Sequence, residues 1–266
     1  MIDTKKWTQI GSELSRIERE ENVKILYACE SGRRAWGFPS KDSDYDVRFL
    51  YIRPMEWYLK VHPGRDVIER PISDSLDLSG WDLRKALQLL AKSNPPLLEW
   101  LNSPICYLER GTVIDAIREA SPELYSPKSC LHHYLSLATG NFRTYLQSDR
   151  VRLKKYFYVL RSTLACQWLE ERGSIPPVEF QQLTDALLPE GSELKQVVNE
   201  LLLRKRNGEE LDNEPPIPIL HNYLAERLAY YTQLASELPA VAGPHSVQLD
   251  DWFLSALREN WSFSVN

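Results

Sequence analysis

Between Glu30 and Val47 the chain runs Glu-Ser-Gly-Arg-Arg-Ala-Trp-Gly-Phe-Pro-Ser-Lys-Asp-Ser-Asp-Tyr-Asp-Val, and this order constrains the fold more than any other stretch. An apolar run, Val23 to Ala28, leads into a glycine turn at Gly32, and Asp44 and Asp46 stand one residue apart at the head of a second apolar run, Tyr45 to Ile52. Side chains at i and i+2 of a strand share a face, so Asp44 and Asp46 present their carboxylates side by side. Two like charges that close repel, and both stay ionised only with a cation between them. Hard divalent ions such as Mg²⁺ take oxygen ligands of this kind and leave room for substrate phosphates. The free N–H groups of a glycine turn can cradle a phosphate. Strand, glycine turn and paired aspartates together point to nucleotide chemistry.

The segment resembles the signature of the DNA polymerase β nucleotidyltransferase superfamily, and more closely that of its small bacterial and phage family linked to RNA repair and RNA ligases. The similarity continues through Arg53-Pro54, Trp57-Tyr58, Asp77 to Lys85, Ser93-Asn94-Pro95 to Tyr107, and Lys154 to Arg161. It implies a metal-dependent enzyme that moves a nucleoside monophosphate from an NTP to a hydroxyl acceptor, with Mg²⁺ or Mn²⁺ as cofactor. An RNA end, including tRNA, is the acceptor it favours, and an RNA ligase or repair protein the partner. A protein or small-molecule acceptor, and a catalytically silent nucleotide-binding or toxin–antitoxin component, are the other readings. At one position the chain departs from the family: Arg33 stands where the family has a serine that contacts the terminal phosphates. Arginine binds phosphate through a bidentate fork but is far larger than serine. Substitution for that contact and blockage of it are both open.

The expected fold is α+β, a small mixed-sheet polymerase β-like domain over residues 1–125 followed by an α-helical bundle over 126–266 that closes the nucleotide cleft. Trp7, Ile10, Leu14 and Ile17 recur at helical spacing. Strands are expected at Val23–Ala28, Tyr45–Ile52 and Arg65–Ile72, with Leu76-Asp77-Leu78 a continuation or a separate short strand. From Trp81 the period becomes helical, Leu83, Ala86, Leu87 and Leu90, until Pro95-Pro96. Shorter helices are expected at Leu97–Leu101 and Val113–Ala120. Ser121-Pro122 to Ser126-Pro127 is the best domain boundary, and beyond it the pattern is helical. With 43% hydrophobic and 26% charged residues the chain has a globular composition. No apolar run approaches the roughly 20 residues of a membrane span, and no apolar h-region follows Met1. Cys29, Cys106, Cys130 and Cys166 are scattered, which suits reduced thiols in a cytoplasmic protein better than zinc. A net charge of −5 argues against a uniformly positive surface, yet Arg150 to Arg161 holds five Lys or Arg and no acid.

Nucleotidyl transfer is an in-line displacement at the α-phosphate, with metal ions about 3.5–4 Å apart activating the attacking oxygen and steadying the leaving one. Asp44 and Asp46 fit the bridging roles. Asp77, in a short apolar strand and matching the family's aspartate before Gly-Trp-Asp-Leu-Arg-Lys, is the third metal and catalytic carboxylate; Asp74, Asp82 and Glu69 are its rivals. Asp82 suits a helix cap, and Asp42 a turn or cap. Ser31, Gly32, Arg33 and Arg34 are the nucleotide-binding residues of the turn, with Lys85 a further phosphate-side cation. On a helix Lys154, Tyr158 and Arg161 fall within about 60° of each other, and the resemblance sets them against the nucleotide across the interdomain cleft. Lys155 points away, toward the acceptor. The adjacent His132 and His133 face apart and suit structural roles.

Overall fold

The computed structural model describes residues 2–40, 43–209, 211, 214–238 and 246–261; Asp42, expected to turn or cap, lies outside the described residues. Helix α1 (Thr4–Glu21) opens the chain, capped by Asp3, whose side chain accepts the Lys5 N–H at 3.2 Å. Strand β1 (Lys24–Glu30), the one-turn helix α2 (Gly32–Ala35) and strand β2 (Tyr45–Ile52) carry the motif. After α3 (Met55–Tyr58) come β3 (Val67–Glu69), β4 (Leu76–Asp82), α4 (Leu83–Ala91), α5 (Pro95–Leu101) and β5 (Cys106–Glu109). The rest is helical: α6 (Val113–Leu124), α7 (Pro127–Tyr145), α8 (Lys154–Arg172), α9 (Phe180–Leu187), α10 (Glu193–Arg206), α11 (Pro218–Glu237) and α12 (Ser246–Asn260).

The five strands form one sheet in the order β3-β4-β2-β1-β5. β2 and β4 are parallel and the other neighbours antiparallel. One face is covered by α1: Ile10, Leu14 and Ile17 pack with Val47, Phe49, Tyr51, Leu76 and Leu78. The other face, which carries Leu50 and Ile52, joins a single buried cluster that runs through α4, α5, α7 and α8 into α11. Residues of the expected catalytic and helical halves therefore share one continuous core. A bulge between Ile25 and Tyr27 breaks the alternation of β1, so that Leu26 and Tyr27 both join the helical side.

The sequence periodicity misplaced several boundaries. The third strand is only Val67–Glu69, and β4 is a separate strand that continues through Trp81 to Asp82. Trp81 stays extended because it pairs with Val67 and Leu50 in register and stacks on Trp100 at 3.8 Å. The helix begins at Leu83, where Asp82 acts as the expected cap by accepting the Arg84 N–H at 2.9 Å. α6 runs past the expected Ala120, through Pro122 to Leu124, and Ser126 caps α7. Strand β5 was not expected; its four residues are too few to show a period. The four cysteines are free, with Cys106 exposed and the other three buried. Among the described residues no helix is long and apolar enough to cross a membrane.

Candidate active site

In the parallel ladder Asp46 is the register partner of Asp77 and Arg48 that of Ser79. Asp46, Arg48 and Asp77 thus share the sheet face that also bears Leu50 and Ile52, turned toward the helices. Arg48 Nη2 lies 2.8 Å from Asp77 Oδ2 and 3.6 Å from Asp46 Oδ1, while its Nη1 donates to the carbonyls of Val47 and Asp77 at 3.1 and 3.0 Å. One guanidinium thereby spans two carboxylates. Burial raises the Asp46 carboxyl above the usual carboxylate range; Arg48 and Arg33 oppose the shift, whereas Asp77 and Asp44 add to it.

The glycine turn meets this pair directly. Gly32 has φ +59°, and a Cβ built on it would lie 2.2 Å from Asp46 Oδ2. Both the left-handed backbone and the close carboxylate require glycine here. Ser31 N–H donates to the Asp46 carbonyl at 2.8 Å, and the Asp46 N–H donates to Glu30 Oε1 at 2.9 Å. Residues 30 and 31 therefore hold the Asp46 peptide from both sides. Glu30 is fully buried, and the Tyr107 hydroxyl donates to its other oxygen. Burial pushes its carboxyl up to about 7, against the pull of the Tyr107 hydroxyl and the Asp46 N–H.

Asp44 precedes β2 and is half-buried. Arg34 fastens the segment before it: Nη2 donates to the Ser43 carbonyl at 2.6 Å, Nε to the Asp44 carbonyl at 3.2 Å, and the guanidinium lies over the Tyr45 ring at 3.8 Å. Arg34 is thus occupied with the loop that carries Asp44. Among the described residues no three His, Cys, Asp or Glu side chains are grouped so as to hold a metal ion. The chemistry of the donors nevertheless suits a hard divalent cation: Asp46 and Asp77 are carboxylates in register, Asp44 is a residue away, and a cationic guanidinium stands between the first two as a metal would.

The structure divides the expected nucleotide-binding residues. Ser31, Gly32, Tyr158 and Arg161 line one cavity of about 280 Å³, with Trp36 and residues of α5 and α7. Arg33 is half-buried beside Asp46, and its guanidinium makes no hydrogen bond or ion pair with a described residue. Lys154 does not line the cavity; its backbone N–H bonds the Leu211 carbonyl at 3.3 Å. Lys85 ion-pairs with Asp66 at 3.0 Å, beyond the far end of β4. From Asp77 to Asp82 that strand spans about 16 Å, so Lys85 sits away from the carboxylates, as a salt-bridging surface residue does. Of the rivals for the third carboxylate, Asp74 is exposed, Glu69 pairs with Arg65, and Asp82 caps α4.

Sequence reasoning did not single out Glu30, Arg48 and Glu99, and it gave His133 a structural role. Arg48 was legible, because it is two residues from Asp46 on the same strand face. Glu30 carried the weaker signal of a charge ending an apolar strand. Glu99 and His133 lie on α5 and α7, and no local pattern marks them as cavity residues.

Residues 8–255 match the RNA repair pathway DNA polymerase beta family (RlaP). A Bacillus subtilis (strain 168) protein, named "Uncharacterized protein YcgL", is 49% identical over 253 residues, which span 95% of this chain and 97% of that protein. A crystal structure of a nucleotidyltransferase-like protein from Exiguobacterium sibiricum 255-15 aligns with 93% of this chain and 89% of its own at 14% identity and a TM-score of 0.31. By the extent of these sequence matches, the chain belongs to the RNA repair pathway DNA polymerase beta family.

Proposed function

We propose that this nucleotidyltransferase moves a nucleoside monophosphate from an NTP to a hydroxyl at an RNA end. The observation that carries the reading is the contact of Gly32 with Asp46, the register partner of Asp77: a phosphate-cradling turn set against paired carboxylates. Held by Asp44, Asp46 and Asp77, Mg²⁺ or Mn²⁺ would activate the acceptor hydroxyl and neutralise the departing pyrophosphate. Glu30 and Ser31 hold the Asp46 backbone in place, so its carboxylate needs little reordering when charge arrives. The Ser31-Gly32 turn and the Arg33 guanidinium face the phosphates, and Tyr158 borders the nucleotide. Arg48, released from Asp77, supplies a second positive charge on the same face. Arg152 is exposed, and Lys155, its ammonium 4.1 Å from the Tyr145 ring and 5.0 Å from that of Tyr158, offers the acceptor backbone a cationic edge. The RNA acceptor rests on the family's repair context.

The test is incubation with each α-labelled NTP, Mg²⁺ or Mn²⁺, and total RNA. Label in RNA is expected. Label in protein or a small molecule would move the acceptor, and NTP binding without transfer of label would make the chain a silent nucleotide-binding component.

A further inference from the structure

The cavity beside the glycine turn is not built like a triphosphate site. Its cation, Arg161, is 3% exposed and already committed: Nη1 donates to Glu99 Oε1 at 2.9 Å, Nε and Nη2 lie 3.4 and 3.3 Å from the Val178 carbonyl, and the guanidinium rests 4.6 Å from the Trp36 ring. The Arg161–Glu99 pair is neutral overall and forms a fixed wall. Trp36 and Tyr158 meet edge to face at 5.4 Å beside it, and Trp100 lines the same space. A volume of about 280 Å³ lies just below the range of whole-ligand pockets. Such a chamber suits one planar ring system better than an entire nucleotide.

Its polar atoms say which ring. Glu99 Oε1 is saturated by Arg161 and by the Tyr134 hydroxyl at 2.8 Å, which leaves Oε2 without a hydrogen-bond partner among the described residues. Nε2 of His133, on the same cavity wall, is buried and also lacks a partner. Burial lowers the His133 pKa and so favours its neutral ring. A carboxylate oxygen only accepts, so it discriminates against a ligand that turns a carbonyl toward it. Building on the nucleotidyltransferase reading above, we propose that this cavity is the base subsite of the NTP and that Glu99 Oε2 accepts a hydrogen bond from an exocyclic amine of the base. The chain then selects an amine-bearing nucleotide, ATP, GTP or CTP, over UTP, with Trp36 and Tyr158 packing on the ring. Arg161, expected from the sequence to grip phosphate, instead positions Glu99.

The amine is tested without altering the protein. Binding is followed by quenching of tryptophan fluorescence, with the α,β-methylene forms of the four NTPs, of ITP and of purine riboside triphosphate, and with inorganic tripolyphosphate. The best-bound nucleotide is expected to lose about tenfold or more when its amine is absent (ATP against purine riboside triphosphate, GTP against ITP, CTP against UTP), the effect of one charge-assisted hydrogen bond. Glu99→Gln keeps an oxygen for Arg161 and Tyr134 and turns an amide toward the base. It should erase that preference while leaving tripolyphosphate affinity unchanged. Equal binding of all four NTPs, a preference for UTP, or an amine preference that survives Glu99→Gln would overturn the proposal. Failure of every NTP and of tripolyphosphate to bind would instead overturn the nucleotidyltransferase reading beneath it.

Discussion

Asp46 and Asp77 are direct register partners on adjacent parallel strands, and one guanidinium, that of Arg48, ion-pairs with both carboxylates. The pairing sets a carboxylate from outside the two-strand motif beside Asp46. In a parallel ladder register partners point to the same face, so β4 delivers Asp77 beside Asp46.

Asp44→Asn and Asp46→Asn should each abolish transfer and leave the circular dichroism spectrum unchanged, because each removes one carboxylate of the bridging pair. Asp77→Asn should lower kcat more than NTP affinity. Near-wild-type label transfer by the Asp44 or Asp46 variant would disprove the metal assignment, and unaltered turnover in Asp77→Asn would move the third ligand elsewhere.

Arg48→Met keeps bulk and removes the charge between the carboxylates. Two unneutralised like charges bind a cation more tightly, so Mn²⁺ affinity, read by electron paramagnetic resonance in the absence of nucleotide, should rise about tenfold. Weaker Mn²⁺ binding would show that Arg48 orders the ligands and does not compete with the ion.

Gly32→Ala places a methyl group 2.2 Å from Asp46 Oδ2 at φ +59°. Backbone strain of about 1–3 kcal/mol should appear as a lower midpoint in urea, and displacement of Asp46 as loss of transfer. A variant as stable and active as wild type would show that the turn and the carboxylate are not in contact.

The motif, its two strands and the turn at Gly32 were legible because they depend on period-2 faces and short spacings. The extent of β4 was not, since Trp81 is held extended by Val67, Leu50 and Trp100, all distant in sequence. The same holds for Arg161. Its spacing with Lys154 and Tyr158 sets it on one face of α8, but its partner Glu99 lies on α5, 62 residues away. Periodicity locates a side chain on its own helix and is silent about what it meets.

Burial pushes the Asp82 carboxyl up to about 6, although the Tyr58 hydroxyl, the Arg84 N–H and the charges of Arg84 and Arg53 pull the other way. In the unfolded chain an aspartate titrates near 4. Between those values the folded state holds more protons, so stability falls as pH rises through the window and the cost is complete above pH 6. Asp82→Asn can still cap α4 and cannot ionise. The stability of wild type relative to this variant should therefore drop by roughly 2–3 kcal/mol from pH 4 to pH 7, measured by urea unfolding. A difference that is flat or rises with pH would contradict the assignment.

Arg33 stands where the resemblance implies a serine, and its surroundings favour a working cation over a plug. The guanidinium stands near enough to Asp46 to lower that carboxyl's pKa, yet it forms no hydrogen bond or ion pair with a described residue. A blocking side chain would be held in place by such bonds; this guanidinium lies beside a turn whose N–H groups suit phosphate. Its effect would come from charge, which a short hydroxyl replaces only in part. Arg33→Ser should therefore weaken NTP binding modestly, about three- to tenfold and so less than the outright loss of a charge-assisted hydrogen bond, because the hydroxyl restores part of the contact, with transfer retained. Arg33→Glu should abolish binding by setting a carboxylate against the triphosphate. Calorimetry with α,β-methylene ATP and its GTP counterpart separates the two roles: if wild type binds neither nucleotide and Arg33→Ser binds either, the arginine silences the site.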